Sequence, residues 1–317
     1  MNSFETINMA DVPTKSVDFL WESFIPFGTV SLVSGLGGLG KSFLTLAIAA
    51  AVTRGIPLPG ENIALPPSDV IIQNAENPLP TVVKPRLEML GADCARVRVI
   101  DDSNKPLTLT DERIEAAIIR HNVKYAVIDP VQSFLGNISM NRAESVRPAI
   151  THLEKVAERT NSAIVLVGHL SKSRAMAQHR VLGSVDLINA VPSAMFIGKA
   201  EGYDDDIRIL AHSKSNFSEL SESRMFRLSK QNGFEWLGTC DATADDVTAH
   251  VRTKGSSLAE DTADFLRDLL SDGALPAKEV EEIAFDSGIS EKTLYRAKKL
   301  AGVKSTRVDG HWMWSLE

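Results

Sequence analysis

Residues 28–52, GTVSLVSGLGGLGKSFLTLAIAAAV, constrain this chain more than any other stretch. Thr29 to Val33 alternates apolar and small polar residues, as a buried strand does. Gly35-Leu-Gly-Gly-Leu-Gly40-Lys41-Ser42 fits G-x-x-x-x-G-K-[ST], and Phe43 to Val52 continues in helix formers without a breaker. Strand, glycine loop and helix in this order make a phosphate cradle. Glycines let backbone N–H groups converge on phosphate oxygens where a Cβ would intrude. The helix N-terminus adds its partial positive charge. The motif assigns nucleotide contact to Gly35, Gly37, Gly38, Leu39, Gly40, Lys41, Ser42 and Phe43. Lys41 is expected on the β- and γ-phosphates, and the Ser42 hydroxyl on Mg²⁺.

The rest of the chain supplies the sheet this motif needs. Strands are expected at 69–74, 96–101, 125–129, 163–168, 193–198 and 207–213, with helices at 79–90, 110–121 and 145–160. Alternating strands and helices indicate an α/β fold with a mostly parallel sheet. MFRLS and FEWLG around Gln231-Asn232-Gly233 read as an antiparallel hairpin. Residues 238–257 lose the apolar pattern and read as a linker, dividing a nucleotide-binding α/β domain (1–237) from a smaller unit (258–317). A chain of 317 residues, 44% hydrophobic and 24% charged, has enough core-forming residues for both.

Charge and cysteine usage exclude several classes. The net charge of −7 makes the whole surface unsuited to a polyanion, so nucleic-acid contact must come from local basic patches. Cys94 and Cys240 have neither metal-site nor disulfide-framework spacing, which fits a reducing compartment. The polar first residues lack a signal-peptide core, and the longest apolar run, 43–52, is too short to span a bilayer. The expectation is a cytoplasmic protein with no membrane partner.

Three polar residues end expected strands. Asp129 closes YAVID, where a carboxylate orients Mg²⁺ or its water, although an Asp capping a turn would look the same. Glu76 follows VIIQNAEN, where it would polarise a water for attack on the γ-phosphate or sit as a solvated loop carboxylate. His169 follows AIVLVG, where it would sense the γ-phosphate or serve as a structural histidine.

The ordered set SGLGGLGKS, IIQNAEN…KPRLEMLGA, YAVIDP, IVLVGHLSKS, LGSVDLINA and HSKSN, over residues 15–237, resembles one family. It is the RecA-like ATPases that include plasmid RepA-type replicative helicases and related phage or plasmid proteins. The resemblance implies ATP as the nucleotide, Glu76 as catalytic glutamate and Asp129 as the Mg²⁺ aspartate. It also implies that His169 couples the γ-phosphate to a DNA-binding loop. It further implies a hexameric homo-oligomer with ATP between subunits, one neighbour supplying a cation to the transition state. The chain departs from the family here: Val191-Pro192-Ser193 stands where an arginine is common. Lys214 in HSKSN is the best replacement, ahead of Lys199, Arg180 and Arg208. A lysine lacks the bidentate fork, so hydrolysis is expected to be slow or the cation to come from elsewhere.

Two regions carry basic residues suited to DNA. The loop 171–183 holds Lys172, Arg174, His179 and Arg180 without an acid; it would track single-stranded DNA in a ring channel or remain a solvated loop. Residues 258–317 read as helices 259–270, 275–285 and 291–301, followed by a hairpin around Asp309-Gly310. That order resembles a winged helix-turn-helix, which would meet duplex DNA through Lys292, Arg296, Lys298 and Lys299, or dock a protein. Trp312 and Trp314, alternating with Met313, are expected to anchor the wing to its core.

Together these features point to a Mg²⁺- and ATP-dependent DNA motor, a ring-forming helicase of a mobile element. A DNA-binding ATPase switch without unwinding is the first alternative. A P-loop small-molecule kinase is the second, and the chain lacks the arginine-rich lid it would need.

Overall fold

The computed structural model describes residues 6–63, 65–136, 143–169, 185–229, 233–249, 258–270, 273–286, 289–308 and 310–316. The chain enters through a short ladder, β1 (Phe19–Trp21) with β2 (Ile25–Pro26), which buries Leu20, Trp21, Phe24 and Ile25. The alternating stretch becomes β3 (Thr29–Gly35), buried along its whole length, and α1 (Lys41–Arg54) follows the glycine loop. Gly55 at φ 63° closes α1, a conformation that spares glycine the Cβ penalty.

β4 (Val70–Asn74) leads through a π-helical turn at Leu79–Val83 into α2 (Lys84–Met89), where one longer helix was expected. β5 is only Val97–Arg98 rather than 96–101. The Gln73 side chain explains the early stop: it accepts from the Ile100 N–H at 3.1 Å and donates to the Ile100 carbonyl at 3.3 Å, taking the place of ladder bonds. α3 (Glu112–His121), β6 (Tyr125–Asp129), α4 (Ala143–Thr160), β7 (Ala163–His169), α5 (Val185–Ala190), β8 (Ser193–Gly198) and β9 (Ile207–Ser215) continue the alternation. β10 (Ser223–Ser229) and β11 (Gly233–Cys240) are antiparallel, and the tip 230–232 lies outside the described residues.

These strands form one sheet in the order β11-β10-β9-β8-β3-β7-β6-β4-β5. From β8 to β5 all neighbours are parallel, and β9, β10 and β11 extend the sheet antiparallel. β3 lies between β7 and β8, so apolar layers cover both its faces. Val30 and Leu32 pack with α4 residues such as Ile150 and Leu153, while Val33 packs with Leu44 and Ile48 of α1. The architecture is that of an α/β P-loop core with a mostly parallel sheet.

Residues 238–249, read above as the start of a linker, are ordered instead. They complete β11 and then form α6 (Ala244–Ala249), which buries Val247 completely. Gly198 permits the approach: a Cβ there would stand 2.3 Å from the Val247 carbonyl oxygen. Val247, with Ala242 and Ala244 beside it, carries the packing among the described residues, too little for an apolar pattern to register.

The C-terminal body contains α7 (Leu258–Leu269), β12 (Leu275–Pro276), α8 (Ala277–Asp286), α9 (Glu291–Ala301), β13 (Lys304–Val308) and β14 (His311–Ser315). Its sheet runs β12-β14-β13 around a core of Leu266, Val280, Leu294, Ala297 and Trp314. Leu275 and Pro276 pair with Trp314 and Met313 rather than opening a helix. Ser290 caps α9 by accepting from the Thr293 N–H, and Gly302 ends it. The two tryptophans of β14 part company: Trp314 is 2% exposed and Trp312 56%. Both point to one face, as residues two apart on a strand must. Trp314 carries Lys298 and Tyr295 of α9 against its ring, whereas Trp312 lines a groove with it and stays more than half exposed. Among the described residues, no helix is long and apolar enough to cross a membrane.

Candidate nucleotide site

The site lies at the C-terminal ends of the parallel strands, where open α/β sheets bind ligands. Strand register sets its members level with one another: Gly35 pairs with His169, and Asn74 with Asp129. Gly38 and Gly40 take φ of 76° and 90°, which turns the loop back over the start of α1. A Cβ on Gly35 would stand 2.5 Å from the Ile197 carbonyl oxygen, so the strand end tolerates no side chain. By contrast, none of the described residues lies within 4 Å of a Cβ built on Gly37 or Gly38, so among them that side of the loop is open to a ligand. Among the described residues no side chain caps the N-terminus of α1, and such a helix start suits an anion.

Lys41 is 5% exposed, and its Nζ donates to the carbonyls of Gly35 at 2.8 Å and Leu36 at 2.9 Å. Burial lowers its pKa to about 8, against the opposing pull of the Asp129 and Glu76 carboxylates. Ser42 follows in the first turn of α1, and its carbonyl accepts from the Thr45 hydroxyl at 3.1 Å. Asp129 is 3% exposed at the end of β6, and the peptide bond to Pro130 is cis. Burial and the Asp129 charge together hold the Tyr125 phenol well above its ordinary pKa, so Tyr125 stays neutral.

Asn74 organises the site in a way the sequence reading missed. Its Nδ2 donates to Asp129 Oδ2 at 3.3 Å, and its Oδ1 accepts from the N–H groups of Glu76 at 3.1 Å and Asn77 at 2.7 Å. The Ala75 N–H donates to the Asp129 carbonyl at 3.0 Å. The loop bearing Glu76 is thereby tied to the strand end bearing Asp129. An Asn at a strand end that turns its own backbone two residues on was the available signal. Arg86 was also passed over. Its guanidinium carbon lies 4.5 Å from the centroid of the Phe43 ring, so a cation from α2 rests on the first turn of α1.

The other candidates sit elsewhere. Lys214 pairs with Ala194, three positions before the Ile197 that neighbours Gly35, or about 10 Å down the sheet. Its Nζ donates to the carbonyls of Ile188, Asn189 and Val191, closing the C-terminal end of α5. Lys199 pairs with Asp205 at 2.9 Å, and Arg208 bonds the Asp205 and Ile207 carbonyls. The backbone of His169 ends β7, whereas its side chain and the residues Lys172, Arg174 and Arg180 lie outside the described residues. In the C-terminal body Lys292, Arg296 and Lys299 are exposed on α9. Lys298 differs: its Nζ lies 3.9 Å over the Trp314 ring and bonds the Ser305 hydroxyl.

The donor set suits a Mg²⁺-nucleotide. The open glycine side would take phosphate, Lys41 would supply a cation, and Ser42 with Asp129 could supply two hard oxygens. A family model for the AAA domain matches residues 3–175. The chain is also similar to the DNA repair protein RadA of several bacteria. That of Bacillus subtilis is 24% identical over 234 residues, covering 73% of this chain and 45% of RadA. That of Halalkalibacterium halodurans is 27% identical over 229 residues, covering 71% and 44%, and that of Helicobacter pylori strain 26695 is 24% identical over 223 residues, covering 68% and 44%. The chain thus spans a little under half the length of these relatives. The phosphate loop, its lysine, the buried strand-end aspartate and a family match over more than half the chain converge, and the protein belongs to the AAA-domain family with a RecA-like P-loop ATPase core.

Proposed function

We propose that this protein is an ATP-hydrolysing DNA motor, a ring-forming helicase of the RepA type. The observation that carries the reading is the convergence of Lys41, Glu76 and Asp129 on one sheet edge, with Asn74 joining the two carboxylate-bearing segments. In this reading Ser42 and Asp129 would hold Mg²⁺, which would supply charge neutralisation at the phosphates. The Lys41 ammonium exchanges its two carbonyl partners for phosphate oxygens. Glu76, exposed on its loop, accepts the proton of the attacking water. His169, level with Gly35, reads the γ-phosphate. Lys214, distant from its own phosphate loop, serves the nucleotide of a neighbouring copy.

DNA enters the reading through the RadA relatives, named as DNA repair proteins, and through the basic α9. The C-terminal helices and three-stranded sheet act as a winged helix that brings Lys292, Arg296 and Lys299 to phosphates, while the charges of Lys172, Arg174 and Arg180 would attract a single strand in a ring channel. The test is ATP hydrolysis with and without single-stranded DNA, with Glu76→Gln as the blank. Strong stimulation by the strand supports the motor. Turnover indifferent to every DNA refutes it.

One observation favours a switch that hydrolyses without unwinding. The three carbonyls held by Lys214 and the uncharged Pro192 leave the transition-state cation weakly provided. DNA-stimulated turnover with no opening of a forked duplex would select that reading.

A further inference from the structure

The C-terminal body holds a groove of about 510 Å³ between α8, α9 and the β13–β14 hairpin. Tyr295, Lys298, Trp312 and Trp314 line it, together with Glu281 and Ser305. Trp314 seals the core, and its ring already carries the Lys298 ammonium. Trp312 extends past the end of β12 on the same face and stays more than half exposed, beside a half-exposed Tyr295. An indole left this exposed adds little to the core, and it offers a flat apolar surface to a ligand.

The surrounding charge identifies the ligand class. Residues 290–308 contain Lys292, Arg296, Lys298, Lys299, Lys304 and Arg307 against Glu291, on a chain of net charge −7. Arg307 lies directly across the hairpin from Trp312. Inside the groove Lys278 and Lys298 stand with one carboxylate, Glu281, which accepts the Tyr295 hydroxyl at 2.6 Å. The Tyr295, Trp312 and Trp314 rings give the groove its flat apolar surfaces, while the outer cations attract phosphate. The surface therefore sorts a polynucleotide into backbone outside and base inside.

We propose that an unpaired nucleobase stacks on Trp312 in this groove while the α9 and hairpin cations hold its phosphates. The inference rests on the DNA-ATPase reading and adds a site that prefers single strands to closed duplex. A base within duplex has both faces stacked and offers none to an indole.

The test uses the full-length protein without nucleotide, a labelled short single strand, and a blunt duplex. Trp312→Ala should weaken single-strand binding about 10-fold and leave duplex binding unchanged, and Trp312→Phe should restore most of the loss. Single-strand binding should also quench tryptophan emission by an amount that disappears in Trp312→Phe, which reports this groove apart from any channel. Unaltered quenching in Trp312→Phe, or equal losses for both DNA forms in Trp312→Ala, overturns the stacking site. If the unaltered protein binds neither DNA, the DNA-ATPase reading falls and the stacking site with it. If it binds both and Trp312 proves silent, only the stacking site falls.

Discussion

Lys41 makes nucleotide affinity depend on pH in a calculable way. Without phosphate, its ammonium is buried against the Gly35 and Leu36 carbonyls, and burial lowers its pKa to about 8. Bound phosphate restores a strong preference for the charged form. Binding at high pH therefore requires taking up a proton. The affinity is complete below the free-state pKa and is lost as pH rises through it. About half of the free protein is deprotonated at Lys41 at pH 8 and about nine-tenths at pH 9, so Kd should rise about twofold and then about tenfold, the latter ~1.4 kcal/mol. The nucleotide contributes little above pH 7.5, since a phosphate's second pKa is about 6. Titration calorimetry with a non-hydrolysable ATP analogue, in two buffers of different ionisation heat, reads both Kd and proton uptake. Uptake should reach about 0.9 proton at pH 9. Lys41→Arg should bind more weakly and show no slope, because a guanidinium does not titrate in this range. A flat Kd between pH 7.5 and 9.5 without proton uptake would refute the burial argument.

Two further outcomes follow from the core and the site. His212 is 5% exposed, stacked 5.2 Å from Phe24, and burial lowers its pKa to about 4, so the fold holds it neutral. The unfolded chain binds that proton near pH 6.5, so this stability is complete above 6.5 and falls toward pH 4, by roughly 3 kcal/mol. His212→Gln should flatten that part of a urea-melting pH profile, and an unchanged profile would contradict it. Asn74→Ala leaves the Glu76 and Asn77 N–H groups without their Oδ1 acceptor. It should lower kcat about 10-fold with ATP affinity nearly unchanged, a loss of positioning alone.

The phosphate loop was legible because its chemistry is local. Four glycines, a lysine and a serine act within eight consecutive residues, and the flanking strand and helix declare themselves by period. Asp129 was legible for the same reason, as the polar end of an apolar run. Asn74 was not, since its importance lies in meeting a carboxylate 55 positions away. Lys214 read as a candidate cation, but its three partners come from a helix end 23 to 26 residues earlier. α6 was lost because a valine and two alanines packed against distant strands leave no apolar period.

The sequence by itself determined the P-loop, the alternation of strands and helices, and the basic C-terminal helix, all of which arise from backbone geometry and spacing over a few residues. Only the tertiary structure decided the strand order that sets Gly35 beside His169 and Asn74 beside Asp129. It also separated Trp314, buried under α8 and α9, from Trp312, exposed two residues earlier on the same face. The physical reason is common to both: burial and partnership depend on which distant surfaces meet, and neighbours in sequence that share a period need not share a partner.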